Sequence, residues 1–174
     1  MLKKFLISAL CLSAMACSAY ANPTWITQEF QGGVCKDIET GDVDKGDDYI
    51  IRQCKSFPGV STWIAYQEGV RMFVGFGKKT NTSLAGVEAI RGEWPIQWGG
   101  EKKNGKFAPQ VAIGRFTISG EEPPVQHLYV FRLLSNGMSC IVGDVTTNEK
   151  AKAIATAAMK KWTCAYDATP IELK

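Results

Sequence analysis

Four cysteines constrain what this chain can fold into: Cys35, Cys54, Cys140 and Cys164. Two others, Cys11 and Cys17, fall in a leader. Lys3 and Lys4 form a charged start, Phe5 to Ala16 an apolar stretch, and Ala19-Tyr20-Ala21 an A-x-A cleavage site before Asn22. The apolar stretch is shorter than the roughly 20 residues a bilayer span needs. Ala14-Met15-Ala16 lacks the Leu or Val expected three places before a lipidated cysteine. Residues 1–21 therefore read as a cleaved secretory signal, and residues 22–174 as a single periplasmic or secreted domain. No later segment is apolar enough to cross a membrane. Four cysteines in an exported chain read first as two disulfides, with three possible connectivities.

The stretch from Met138 to Cys164 selects among them. Met138 to Val145 reads as a strand, with Met138, Cys140 and Val142 on one face and Ile141 and Val145 on the other. Thr146-Thr147-Asn148-Glu149 reads as a capping box, with Thr146 as the cap and Glu149 at the third helical position. Ala151, Ile154, Ala155, Ala158, Met159 and Trp162 then recur at helical spacing, opposite Lys150, Lys152, Thr156 and Lys160. Lys160 and Lys161 suit the negative end of the helix dipole. From Cys140 to the strand end is roughly 20 Å, and the helix back to Cys164 is roughly 24 Å. A helix folded over its own strand brings these two cysteines together, which leaves Cys35 to pair with Cys54. No C-x-x-C motif is present and the chain has one histidine, so redox and zinc roles find no support.

Tyr49 to Cys54, Ser61 to Gln67, Val70 to Phe76, Trp94 to Trp98, Gln110 to Ile118 and His127 to Leu134 read as further strands. Phe57-Pro58-Gly59, Glu68-Gly69 and Ser135-Asn136-Gly137 read as turns, and "GGEKKNGK" as a loop. Strand follows strand at hairpin spacing, with one helix at the end. The expected fold is α+β: an antiparallel β-sheet with one C-terminal helix packed on a face, stapled by disulfides.

Several of these stretches resemble a loosely defined family of small exported bacterial proteins of unassigned function. They are "RQCKSFPGVSTWIAYQEGVRMFVGFG", "GEWPIQW", "FAPQVAIGRF" and the cysteine-bounded C-terminal segment. The matching positions are Cys54, Gly59, Arg71, Val74, Gly77, Glu93, Trp94, Arg115, Cys140, Asp144 and Cys164. The resemblance implies export and two disulfides, and it supplies no catalytic residues. Where the family pattern has a Cys-His pair, this chain has Cys140-Ile141.

Charge narrows the partners. Without Lys3 and Lys4 the chain carries 18 basic against 17 acidic side chains. A nearly neutral domain has no general attraction for nucleic acid or anionic lipid, which leaves room only for a local patch. His127, the lone histidine, reads as a partly exposed strand-end residue, because the sequence nominates neither a nucleophile nor an orienting carboxylate for it. The acids Asp37, Glu39, Asp42, Asp44, Asp47 and Asp48 read as a solvated loop, with weak calcium binding as the alternative.

All five arginines (Arg52, Arg71, Arg91, Arg115 and Arg132) lie in or beside expected strands. Sharing one sheet face, Arg71, Arg115 and Arg132 would grip an anion; the ordinary alternative is pairing with acids such as Glu93 or Asp144. Trp94 and Trp98 read either as core or as exposed rings for a sugar or a partner groove.

No catalytic residue, metal ligand or cofactor motif is nominated. The reading that follows is a non-enzymatic exported envelope protein that binds another protein or a small anionic or sugar ligand. The alternative is a small periplasmic enzyme acting on such a ligand through carboxylates or arginines. A third reading is a purely structural envelope factor.

Overall fold

Among the described residues, ten strands and one α-helix follow one another. They are β1 (Thr24–Gln28), β2 (Cys35–Thr40), β3 (Tyr49–Lys55), β4 (Ser61–Gln67), β5 (Arg71–Gly77), β6 (Ala85–Val87), β7 (Ile96–Lys103), β8 (Lys106–Ile118), β9 (Val125–Leu133), β10 (Ser139–Val145) and α1 (Asn148–Lys161). This computed structural model describes residues 22–28, 35–46, 48–56, 60–67, 71–77, 85–87, 95–118, 125–135, 137 and 139–161. The strands form two antiparallel sheets rather than one. Sheet A has the order β1-β7-β8-β9-β10, and sheet B the order β2-β3-β4-β5-β6. The α+β class holds, with the helix on the outer face of sheet A and sheet B against its inner face.

The division follows from two different kinds of alternation. On β8 and β9, Val111, Ile113, Leu128 and Val130 face Ala151, Ile154, Ala155 and Ala158 of the helix. The intervening Ala112, Phe116, Phe131 and Leu133 face Ile64, Met72, Val74 and Phe76 of sheet B. Strands buried on both faces need apolar residues on both, and the central stretches of these two, Val111–Ile113 and Val130–Phe131, supply them. Phe76 sits at the centre of the inter-sheet layer, edge-on to Trp98 at 5.2 Å and to Phe131 at 4.8 Å between ring centroids. Such pairs add about 1 kcal/mol each beyond the area they bury. A hydrogen bond from the Phe76 amide to Ser139 Oγ (3.0 Å) also ties sheet B to β10.

On the other face small residues set the spacing. A Cβ placed on Gly143 would come within 2.9 Å of the Ile154 side chain, so the helix rests directly on the β10 backbone. The helix starts one residue later than the capping-box reading expects. Thr147, not Thr146, accepts from the Lys150 amide through Oγ1 (3.4 Å), which moves Glu149 off the third helical position. A bulge between Ile141 and Gly143 also alters the expected faces of β10. Ile141 points to sheet B as expected, but the extra residue returns Val145 to the helix side beside Val142.

Cys35 and Cys54 stand directly opposite on β2 and β3 and are joined, with Cα atoms 4.0 Å apart. Cys140 lies on the helix side of sheet A and is also disulfide-bonded; Cys164, its expected partner, lies outside the described residues.

The stretch "GGEKKNGK" is no open loop. β7 runs to Lys103, β8 begins at Lys106, and Asn104-Gly105 turns between them with φ of 52° and 74°. Asn-Gly is the strongest short-range signal for a two-residue hairpin, and here it decides the structure.

Candidate functional site

His127 and Tyr129 project from the same face of β9, the face toward sheet B, where that face reaches the edge of the inter-sheet core. Asp144 stands directly opposite Tyr129 on β10, so all three side chains share one side of the strand pair. His127 Nδ1 lies 2.8 Å from Asp144 Oδ1. The Asp144 charge also acts on the Tyr129 hydroxyl, and the His127 and Tyr129 rings are stacked with centroids 6.3 Å apart. Phe116, across β8 from His127, lies edge-on to Tyr129 and closes the inner side. The cluster is accessible: 36% of the Asp144 side chain and 21% of the His127 side chain remain exposed.

These contacts fix the chemistry. The Asp144 carboxylate holds the imidazole in place, and ring stacking sets Tyr129 beside it. With Nδ1 tied to Asp144, the other ring nitrogen, Nε2, is left to meet a ligand. Burial, then the Asp144 charge and its hydrogen bond, push the Tyr129 hydroxyl up to about 12, so it stays a neutral donor. Sequence reasoning leaves His127 without an orienting carboxylate; the fold supplies one 17 positions along the chain. The signal was the pairing of β9 with β10 through a tight connection, which aligns Tyr129 with Asp144 once the register is known. Asp144 therefore pairs with a histidine and not with an arginine.

The described arginine side chains, Arg52, Arg115 and Arg132, lie apart from one another. Arg115 donates to Gln126 Oε1 (2.8 Å) and Asn148 Oδ1 (3.1 Å) on the helix side of sheet A. Arg132 lies on the same side, about four residues further along the strand, and donates to the Gln110 carbonyl (2.6 Å). Desolvation lowers its pKa. Arg52 belongs to sheet B, where it pairs with Asp37 at 2.6 Å and lies over the Tyr66 ring. The side chains of Arg71 and Arg91 lie outside the described residues.

Trp98 is fully buried between the sheets and donates to Gln28 Oε1 at 3.1 Å, so it belongs to the core and offers no exposed platform. Trp94, Glu93 and the Phe57-Pro58-Gly59 turn lie outside the described residues.

Within the acidic stretch, Asp37 faces Arg52, Glu39 accepts from the Tyr49 hydroxyl, and Asp42 pairs with Lys45. Among the described residues no group of three or more His, Cys, Asp or Glu is placed to hold a metal ion. No helix among them is long and apolar enough to cross a membrane.

Comparison with family models, curated proteins and solved structures returns no match.

Proposed function

We propose that this is an exported envelope protein that binds a small hydroxyl-rich ligand, such as a sugar, at the His127–Asp144–Tyr129 cluster. The observation that carries the reading is the exposed Asp144 carboxylate flanked by an imidazole at 2.8 Å and a neutral phenol. Carboxylates accept hydrogen bonds from hydroxyl groups, and aromatic rings support the apolar face of a sugar ring. A carboxylate repels an anion, and the described arginines are engaged elsewhere, so a neutral ligand is preferred to an anionic one. Export is supported by the signal-like residues 1–21 and by the disulfide, a bond kept in oxidising compartments.

A second reading is favoured by one feature. An imidazole oriented by a carboxylate is the apparatus of a general base. A periplasmic enzyme using His127 as base, with Asp144 to orient it, is therefore the alternative.

One experiment addresses both. Monosaccharides and short glycans would be added to isotope-labelled protein, and amide shifts followed for β9 and β10. Binding is expected to perturb both strands, and Asp144→Asn to weaken it at least tenfold while leaving the thermal midpoint within a few degrees. Conversion of a ligand into product during the titration would favour the enzyme. Binding unchanged in Asp144→Asn would remove the cluster from either role.

A further inference from the structure

Among the described residues, charge is divided between the layers. Helix α1 carries Lys150, Lys152, Lys160 and Lys161, all exposed, against one acid, Glu149. The sheet face beneath it adds Arg115 and Arg132, one toward each end of the helix. The described residues of 35–46 and 48, in the layer furthest from the helix, hold five acids against two lysines. Sheet B lies about 10 Å below sheet A, and the helix adds a layer about 10 Å thick above it. The two charge groups are thus separated by about 20 Å or more, whereas screening at physiological salt acts within about 8 Å. A negative surface that meets the helix senses its cations with little repulsion from the acids behind.

We propose that helix α1 is a docking face for an anionic bilayer surface, which holds the protein helix-down and leaves sheet B turned away from the membrane. The helix geometry suits this. Its apolar stripe is already spent on sheet A, through Ala151, Ile154, Ala155 and Ala158, so contact with lipid is electrostatic and reversible and nothing inserts. Lys152 also lies over the Trp25 ring at 5.6 Å, which holds its charge against this layer. The inference does not depend on the His127 cluster, which opens on the opposite face of sheet A.

The test is sedimentation with vesicles of phosphatidylcholine, with and without phosphatidylglycerol, at low and at high salt. Two variants remove the same charge from different layers: Lys150→Gln/Lys152→Gln/Lys161→Gln from the helix, and Lys36→Gln/Lys45→Gln/Lys55→Gln from sheet B. Thermal melts confirm that both remain folded, with Lys150→Gln/Lys161→Gln as the milder helix variant. The protein is expected to bind only the phosphatidylglycerol vesicles and to be released by salt. Each lysine near such a surface is worth about 1 kcal/mol, so the helix variant should bind about a hundredfold more weakly. The sheet B variant should stay within about twofold, since its lysines lie beyond the screening distance. Equal losses in the two variants, no binding to phosphatidylglycerol, or binding only to a soluble polyanion such as polyphosphate would each overturn the proposal.

Discussion

The two faces of sheet A meet their neighbours in different ways. Toward sheet B the strands present Trp98, Phe116, Phe131 and Tyr129, and large rings hold the two layers apart. Toward the helix they present Val111, Ile113, Leu128 and Val130, with Gly143 where the helix comes closest. The aromatic face ends in half-buried rings with polar tips, where His127, Tyr129 and Asp144 remain open to a ligand. On the aliphatic face the helix seals the centre, and Arg115 with Gln126 and Asn148 forms an exposed polar margin at one end.

Truncating a ring on the aromatic face should have the largest effect. Phe131→Ala removes the partner of Phe76 and should cost about 4 kcal/mol through lost burial and the cavity left behind. Urea denaturation would measure it, and a loss under 1 kcal/mol would mean that the inter-sheet layer can collapse. The aliphatic face should fail in the opposite sense. Gly143→Ala adds one methyl against Ile154 and should cost about 2 kcal/mol by overpacking. An unchanged or raised midpoint would show that the helix can lift without penalty.

A smaller effect is expected at alkaline pH. Burial first, then Asp144, raise the Tyr129 pKa from 10.0 to about 12 in the folded protein. Below pH 10 both folded and unfolded chains keep this proton, and its contribution to stability is complete. Between pH 10 and about 12 the unfolded chain releases it first, so stability falls as pH rises through that window. The decline should be shallower in Tyr129→Phe, read from urea midpoints at successive pH values. Parallel curves for the two proteins would mean that neither burial nor Asp144 raises the Tyr129 pKa in the folded protein.

Much of this was legible in the sequence, and the omissions have physical causes. β4 occupies the expected residues, and Met72, Val74 and Phe76 share the core face that their alternation indicates. The helix buries Ala151, Ile154, Ala155 and Ala158 as their spacing requires. β1 and β2 leave little trace in the sequence, because TWITQ is only five residues long and CKDIET is almost wholly exposed, so neither shows a clear alternation. The division into two sheets is not visible in the sequence, because hairpin spacing reports only which neighbours pair. It is silent on where the chain leaves one sheet for the next.

The candidate site was hidden for a related reason. His127 and Asp144 become partners only through the register of β9 with β10, and a bulge at Ile141–Gly143 sets that register. The turn at Asn104-Gly105 could have been read, since the dipeptide alone carries the signal.

One measurement tests the central claim most directly. His127 is the only histidine in the chain, so its ring nitrogens give a single pair of signals in a nitrogen-15 correlation spectrum. With Nδ1 donating to Asp144, the neutral ring should carry its proton on Nδ1 and leave Nε2 unprotonated, and Asp144→Asn should change that balance. Nε2 should then shift when a hydroxyl-rich ligand binds. A neutral ring protonated on Nε2, indifferent to Asp144→Asn and to ligand, would contradict the account.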